Sequence, residues 1–191
     1  MISMSRIEDI KKIVKGELEK HNKLDWYDLH FIPVHKYAMM LAEITGANKE
    51  VVELAVWLHD LGKIKSGPKD HHKTGAKEAE KVLRDFGYPE STIEHVKDCI
   101  LTHRVRDELP QTKEAKVLSS ADSMSHYDTI PWLLDGFLKV TGDLKISLEK
   151  VLEKVNRGWE KKILIPEGKE MVKQKYEASK LLIESTLKYY S

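Results

Sequence analysis

The chain has 191 residues, enough to bury a sizeable core without disulfides or a structural metal, and one domain is the default expectation. Its 32 Lys and Arg are balanced by 31 Asp and Glu, which removes the electrostatic case for a duplex nucleic-acid surface or an anionic membrane patch; small anionic ligands stay open, since a site's field is local. Cys99 is the only cysteine, so an intramolecular disulfide and a thiolate metal cluster are excluded.

Taken in chain order, nearly every segment reads as helix. Ser5 with Glu8 makes a capping box before Ile7, Ile10, Val14 and Leu18, a helical apolar rhythm. A second helix is expected from near Leu29 to Ile44, with Pro33 tolerated in its first turn and Gly46 ending it. Asn48 caps a third through the apolar run Val51–Leu58, ending at Gly62. Residues 70–86 form an amphipathic helix closed by Gly87; Ser91 with Glu94 caps the next, which carries His103; Thr112 begins one that reaches Asp122. Pro131, Gly142, Pro166 and Gly168 punctuate three further helical stretches, the last with Met171, Val172, Tyr176, Leu181 and Leu182 on one side. No strand pattern, repeat or interdomain linker competes, so the expectation is an all-α fold over residues 1–191 as one compact bundle. No apolar run approaches transmembrane length and residues 1–15 lack a secretory apolar core, which points to a cytoplasmic location.

The doublet His59-Asp60, with His30 upstream and Asp122 downstream, carries the chemistry. Imidazole nitrogens and carboxylate oxygens suit a divalent ion such as Mn, Ni, Co, Zn, Fe or Mg, and an ionised carboxylate beside the Val-Trp-Leu run is costly to bury without a cation. In isolation, a His-Asp pair is better explained by His59 bonding a backbone carbonyl and Asp60 capping or pairing with Lys63, and it is the wider context that reverses this.

The octet Trp57-Leu58-His59-Asp60-Leu61-Gly62-Lys63-Ile64 resembles the central motif of the HD superfamily of metal-dependent phosphohydrolases. The stretch His30 to Ala42 is similar to that family's first-ligand segment, with Pro33 in place of a basic residue often found there, and Leu118–Met124 is similar to the segment carrying its last ligand. Asp70-His71 and Thr102-His103-Arg104 look like the histidine segments of members that hold a second metal. The resemblance covers roughly residues 26–124 and leaves the C-terminal helices, about 131–190, expected only to pack on that core.

This resemblance implies an HD-domain bundle with His30, His59, Asp60 and Asp122 as metal ligands, His35 being the rival to His30. It implies a metal-activated water attacking a phosphoester, with Asp60, Lys63, His71 and His103 as the catalytic set; His71 and His103 are also the candidates for a second ion, and His72 is the exposed twin. Arg104 and Arg106 are candidates for phosphate, Trp132, Phe137 and Trp159 for stacking, and His126 and Tyr127 for the pocket wall. The expected partner is a small phosphorylated substrate, a nucleotide or its relative, and a homodimer is compatible. The rival expectations are a non-catalytic nucleotide sensor and a di-iron oxygenase on the same scaffold.

Overall fold

The apolar run Val51–Leu58 forms the middle of the structure. In the computed structural model, residues 2–106 and 108–190 are described, with side chains from residue 6 onward, and no strand occurs among them. The helices in chain order are α1 (Ile2–Lys20), α2 (Ile32–Thr45), α3 (Lys49–Leu58), α4 (Leu61–Ser66), α5 (His71–Asp85), α6 (Glu90–Thr102), α7 (Lys113–Ser125), α8 (Ile130–Thr141), α9 (Leu144–Arg157) and α10 (Pro166–Leu187). Every residue of α3 from Val51 to Leu58 is buried except the half-buried Glu53, so it sits at the centre with α1, α2, α5, α6 and α7 packed around it. Each aliphatic side chain buried there contributes about 1.5–3 kcal/mol relative to exposure. α8 and α9 pack on each other, and α10 lies across α9, α7 and α2.

Two widened π turns break the helical register. In Tyr27–Phe31 the Ile32 amide donates to the carbonyl of Tyr27, five residues back. Pro33, in the first turn of α2, has no N–H to donate and crowds the carbonyl four residues before it, so a wide turn is cheapest here. In Gly158–Lys162, the Ile163 amide donates to the Gly158 carbonyl at 3.0 Å. The first turn carries His30 and the second Lys162.

Several local expectations need correction. α3 stops at Leu58, not Gly62: Asp60, with φ −102° and ψ 7°, makes a break, and Gly62 lies inside α4. A Cβ on Gly62 would meet the Gly75 amide nitrogen at 2.3 Å and the His71 carbonyl at 2.7 Å, so this glycine is required for the close approach of α4 to α5. α1 starts at Ile2, which puts Ser5 inside the helix; its side chain lies outside those described. α6 starts at Glu90 behind extended Pro89, so Ser91 does not cap it. On α10, Leu181 and Leu182 face outward and Ile183 is the buried residue. By contrast Asn48 accepts from the Glu50 and Val51 amides, Thr112 accepts from Ala115, and Gly46 and Gly87 take the left-handed conformation after their helices.

Candidate metal centre

The break between α3 and α4 solves a geometric problem. Adjacent residues on one helix point about 100° apart. With the helix interrupted at Asp60, both side chains face one point: His59 Nε2 lies 3.7 Å from Asp60 Oδ2. The π turn brings His30 Nε2 to 3.2 Å from His59 Nε2, 3.4 Å from Asp60 Oδ2 and 3.7 Å from Asp122 Oδ1. All four residues are buried. A divalent ion with bonds of about 2.0–2.2 Å holds neighbouring donors about 3.0–3.5 Å apart, close to the spacing of His30, His59 and Asp60, while Asp122 joins the site through His30 and falls in one donor set with His30 and His126.

Imidazole orientation strengthens the fit. His59 Nδ1 is 2.7 Å from the Val56 carbonyl, His71 Nδ1 2.9 Å from the Pro68 carbonyl and His103 Nδ1 2.5 Å from the Ile100 carbonyl. A carbonyl only accepts, so each Nδ1 carries the proton and each Nε2 keeps a lone pair. All three bonds run to the carbonyl three residues back. For His59 and His103 this is where the helix ends and its last carbonyls lack an amide partner. His30 Nδ1 is buried without a hydrogen-bond partner among the described residues, and its Nε2 faces the His59 lone pair, an arrangement that a shared cation relieves.

Asp60 also faces a second group. Its Oδ1 lies 3.7 Å from His71 Nε2, and Asp60, His71 and His103 form a further set of donor atoms within metal-ligand reach of one another, as do His30, Asp122 and His126. Asp60 is thus placed between two sets, with Oδ2 toward His30 and His59 and Oδ1 toward His71.

Burial works to raise the Asp60 and Asp122 pKa values, yet both lie well below the usual carboxylate range. Lys63, His59 and His30 outweigh it at Asp60, and Lys162, His126 and His30 at Asp122. Lys63 Nζ is 2.9 Å from Asp60 Oδ2, and Lys162 Nζ is 2.5 Å from Asp122 Oδ2. Burial holds His103 and His126 well below the ordinary 6.5, helped at His103 by His59 and at His126 by Lys154, and lowers His30 and His71 in the same direction.

The cluster floors an open cleft of about 750 Å³. Lys63, His71, His103, Arg104 and Arg106 line it, as do His126, Trp132 and Phe137. Trp132 stacks 6.1 Å from the His30 ring, meets Trp26 edge-on at 5.7 Å and donates its Nε1 hydrogen to Asp25 at 2.7 Å; Lys63 sits 4.6 Å over Trp26.

Other candidates fall elsewhere. His35 turns away to Glu53 at 3.0 Å. His72 is not the exposed twin: Asp70 takes a left-handed conformation at φ 49°, α5 starts at His71, and His72 is buried with its Nδ1 2.9 Å from Arg104. Trp159 stacks on Tyr176 at 4.5 Å, and Tyr127 is buried with its hydroxyl donating to the Val155 carbonyl; neither lines the cleft. The simple reading of the doublet also holds, since His59 bonds a carbonyl and Asp60 pairs with Lys63, and both contacts coexist with the cluster. Sequence reasoning missed Trp26, Lys154, Arg157 and Lys162, all of which line the cleft. Lys150, Lys154 and Arg157 recur at i, i+4 and i+7 on α9, a signal visible in the sequence as a basic stripe.

The sequence model of the HD domain family matches residues 27–126. The chain belongs to the HD domain family. The match runs from the first π turn to His126 and so includes every histidine and aspartate of the cluster, while α8, α9 and α10 lie beyond it. An uncharacterized protein of Clostridium beijerinckii is 32% identical over 115 residues, 57% of this chain and 71% of that protein. A tRNA (cytidine(56)-2'-O)-methyltransferase of Picrophilus torridus is 28% identical over 120 residues, 59% of this chain; the matched region spans only 35% of that protein's length. The HD fold extends past the family match: the crystal structure of an HD-superfamily hydrolase from Bacillus thuringiensis superposes with a TM-score of 0.70 over 98% of both chains, at 23% identity. Among the described residues no helix is long and apolar enough to cross a membrane.

Proposed function

We propose that this HD domain is a metal-dependent phosphohydrolase acting on a small phosphorylated molecule of the nucleotide kind. One observation carries the reading: imidazole lone pairs and two buried carboxylates converge at the floor of a cleft whose walls are cationic and aromatic. His30, His59, Asp60 and Asp122 are the residues that would hold the ion. When bound, a divalent ion supplies a Lewis acid and a water acidified toward neutrality.

The chain's own residues do the rest. Lys63 is held against Asp60 at the cleft floor, where its ammonium offsets charge developing on phosphoryl oxygens. Arg104, braced by His72, presents a guanidinium suited to phosphate from the side. His103 is kept neutral by burial with its Nε2 lone pair inward, so it accepts a proton or ligates; it does not donate. His71, nearer solvent, has the same orientation toward Asp60 Oδ1. Trp132, edge-on to Trp26, gives an aromatic wall suited to a base.

The test is phosphate release from nucleoside mono-, di- and triphosphates, cyclic nucleotides and an aryl phosphodiester after metal stripping and reloading with Mn, Co, Ni, Zn, Fe or Mg. Metal-dependent turnover lost in Asp60→Ala and Asp122→Ala is the expected result. Binding without turnover for every metal supports the sensor reading, and oxygen consumption by the iron-loaded protein supports the oxygenase.

A further inference from the structure

On its α9 side the cleft includes a recess, a chamber of about 250 Å³ lined by cleft residues together with Ser123 and Glu153. Its described walls carry Arg106, Lys150, Lys154, Arg157 and Lys162, with Glu153 as the single acidic residue. A chain of formal net charge +1 has no general surplus of cations to place there, so the concentration is local. It is also built. Ser147, Leu148, Val151 and Val155 bury one side of α9, which turns Lys150, Lys154 and Arg157 onto the other, toward the chamber.

Lys162 pairs with Asp122, while Arg106, Lys150, Lys154 and Arg157 make no ion pair among the described residues. Lys154 has no hydrogen bond or ion pair among the described residues, and burial pushes its ammonium down to about 8. Arg106 and Lys150 stand at the exposed side, likewise without a partner among the described residues. Arg157 is positioned by donating to the carbonyls of Arg104 at 2.7 Å and Val105 at 3.2 Å. Gathering like charges around a recess is unfavourable unless an anion occupies it. Lys162 and His126 line both this chamber and the main cleft, so an anion here lies next to whatever sits over Asp122.

We propose that this chamber is a subsite for a second phosphate group, so that the preferred ligand is a small molecule carrying at least two phosphates, one over the Asp60–Asp122 floor and one against Lys154, Arg157 and Lys150. The assignment rests on the phosphohydrolase reading for the fate of the first phosphate, but the binding of the second stands on the chamber alone. It also gives α9 and the Gly158–Lys162 turn, which lie outside the family match, a role in selecting substrate.

The probe is methylenediphosphonate, whose two phosphonates are joined by carbon and resist hydrolysis. It is titrated calorimetrically into the full-length chain, Mn-loaded and after chelation, with methylphosphonate as the single-anion control. Chelated wild type binds the diphosphonate at least tenfold more tightly than the control. Lys154→Met weakens that binding about tenfold, Lys150→Met severalfold, and the remote control His35→Ala does not weaken it. Lys154→Arg retains it, which separates charge from folding, and circular dichroism checks each variant. Equal affinity for the two probes, or no loss in both Lys150→Met and Lys154→Met, overturns the subsite. Failure of all phosphoester turnover with diphosphonate binding intact overturns only the hydrolase reading; turnover without diphosphonate preference overturns only the subsite.

Discussion

Replacing Gly62 with alanine is the sharpest single perturbation of the account. The added Cβ would lie 2.3 Å from both the Gly75 amide nitrogen and Thr74 Oγ1, and 2.7 Å from the His71 carbonyl. Ordinary contact begins at 3.4 Å, so α4 and α5 must separate by about 1 Å, and two of the three obstacles are backbone that cannot rotate away. Overpacking of this kind costs about 2–3 kcal/mol, which in a chain of this size lowers Tm by about 4–12 °C. The displacement also falls between Asp60 and His71, where an error of about 1 Å can reduce turnover by about a hundredfold. Calorimetry and turnover are measured on a graded series. Gly75→Ala, whose Cβ meets the His59 carbonyl at 2.9 Å, is expected to be milder. Gly16→Ala, with nothing within 4 Å in α1, is expected to stabilise by about 0.5–1 kcal/mol. Wild-type Tm and activity in Gly62→Ala would refute the claim that this glycine sets the α4–α5 approach.

Three further outcomes are expected. Lys162→Met leaves the buried Asp122 carboxylate without its ammonium; the metal-stripped protein loses about 3–5 kcal/mol in urea unfolding, and added divalent metal restores part of it. An equal loss with and without metal would contradict the coupling. Val105 adopts φ 50°, a left-handed conformation unfavourable to a β-branched residue, so Val105→Asn raises stability by about 1 kcal/mol, read as a higher Tm. In the metal-stripped protein, buried neutral His103 and His126 have folded pKa values below 6.5, so the unfolded chain binds more protons and stability falls as pH drops through 6.5. His30 and His71, lowered in the same direction, add to the loss, and His126→Gln reduces it. A urea midpoint unchanged as pH drops through 6.5 would contradict it.

The all-α architecture was legible because apolar periodicity, Asn48, Thr112 and the closing glycines agree with one another. The segments that meet at the centre were legible through the ordered motifs around His30, His59-Asp60 and Asp122. How they meet was not. The break at Asp60 and the two π turns are changes of backbone register, and nothing in side-chain pattern announces them except Pro33. The burial of His72 goes with a left-handed Asp70 at the start of α5, a conformation few non-glycine residues adopt. Ser5 and Ser91 match a capping box, but their helices begin earlier, so the pattern found no free helix end to cap. Lys162 was hidden because it reaches Asp122 from 40 residues away through a turn that no local rule predicts. The stripe Lys150, Lys154 and Arg157 was in plain view but reads as a solvated helix face until α9 is seen to border the cleft.

The central claim is that His30, His59, Asp60 and Asp122 hold a divalent ion. Its most direct test is bound-metal stoichiometry by plasma mass spectrometry after reloading and dialysis, on the wild type, Asp60→Asn, Asp122→Asn and the remote control His35→Ala. The account predicts at least one ion per wild-type chain, the same in His35→Ala, and losses of about tenfold or more in affinity for both aspartate variants. Stoichiometric metal retained by Asp60→Asn and Asp122→Asn, or no metal bound by a folded wild type, would contradict it.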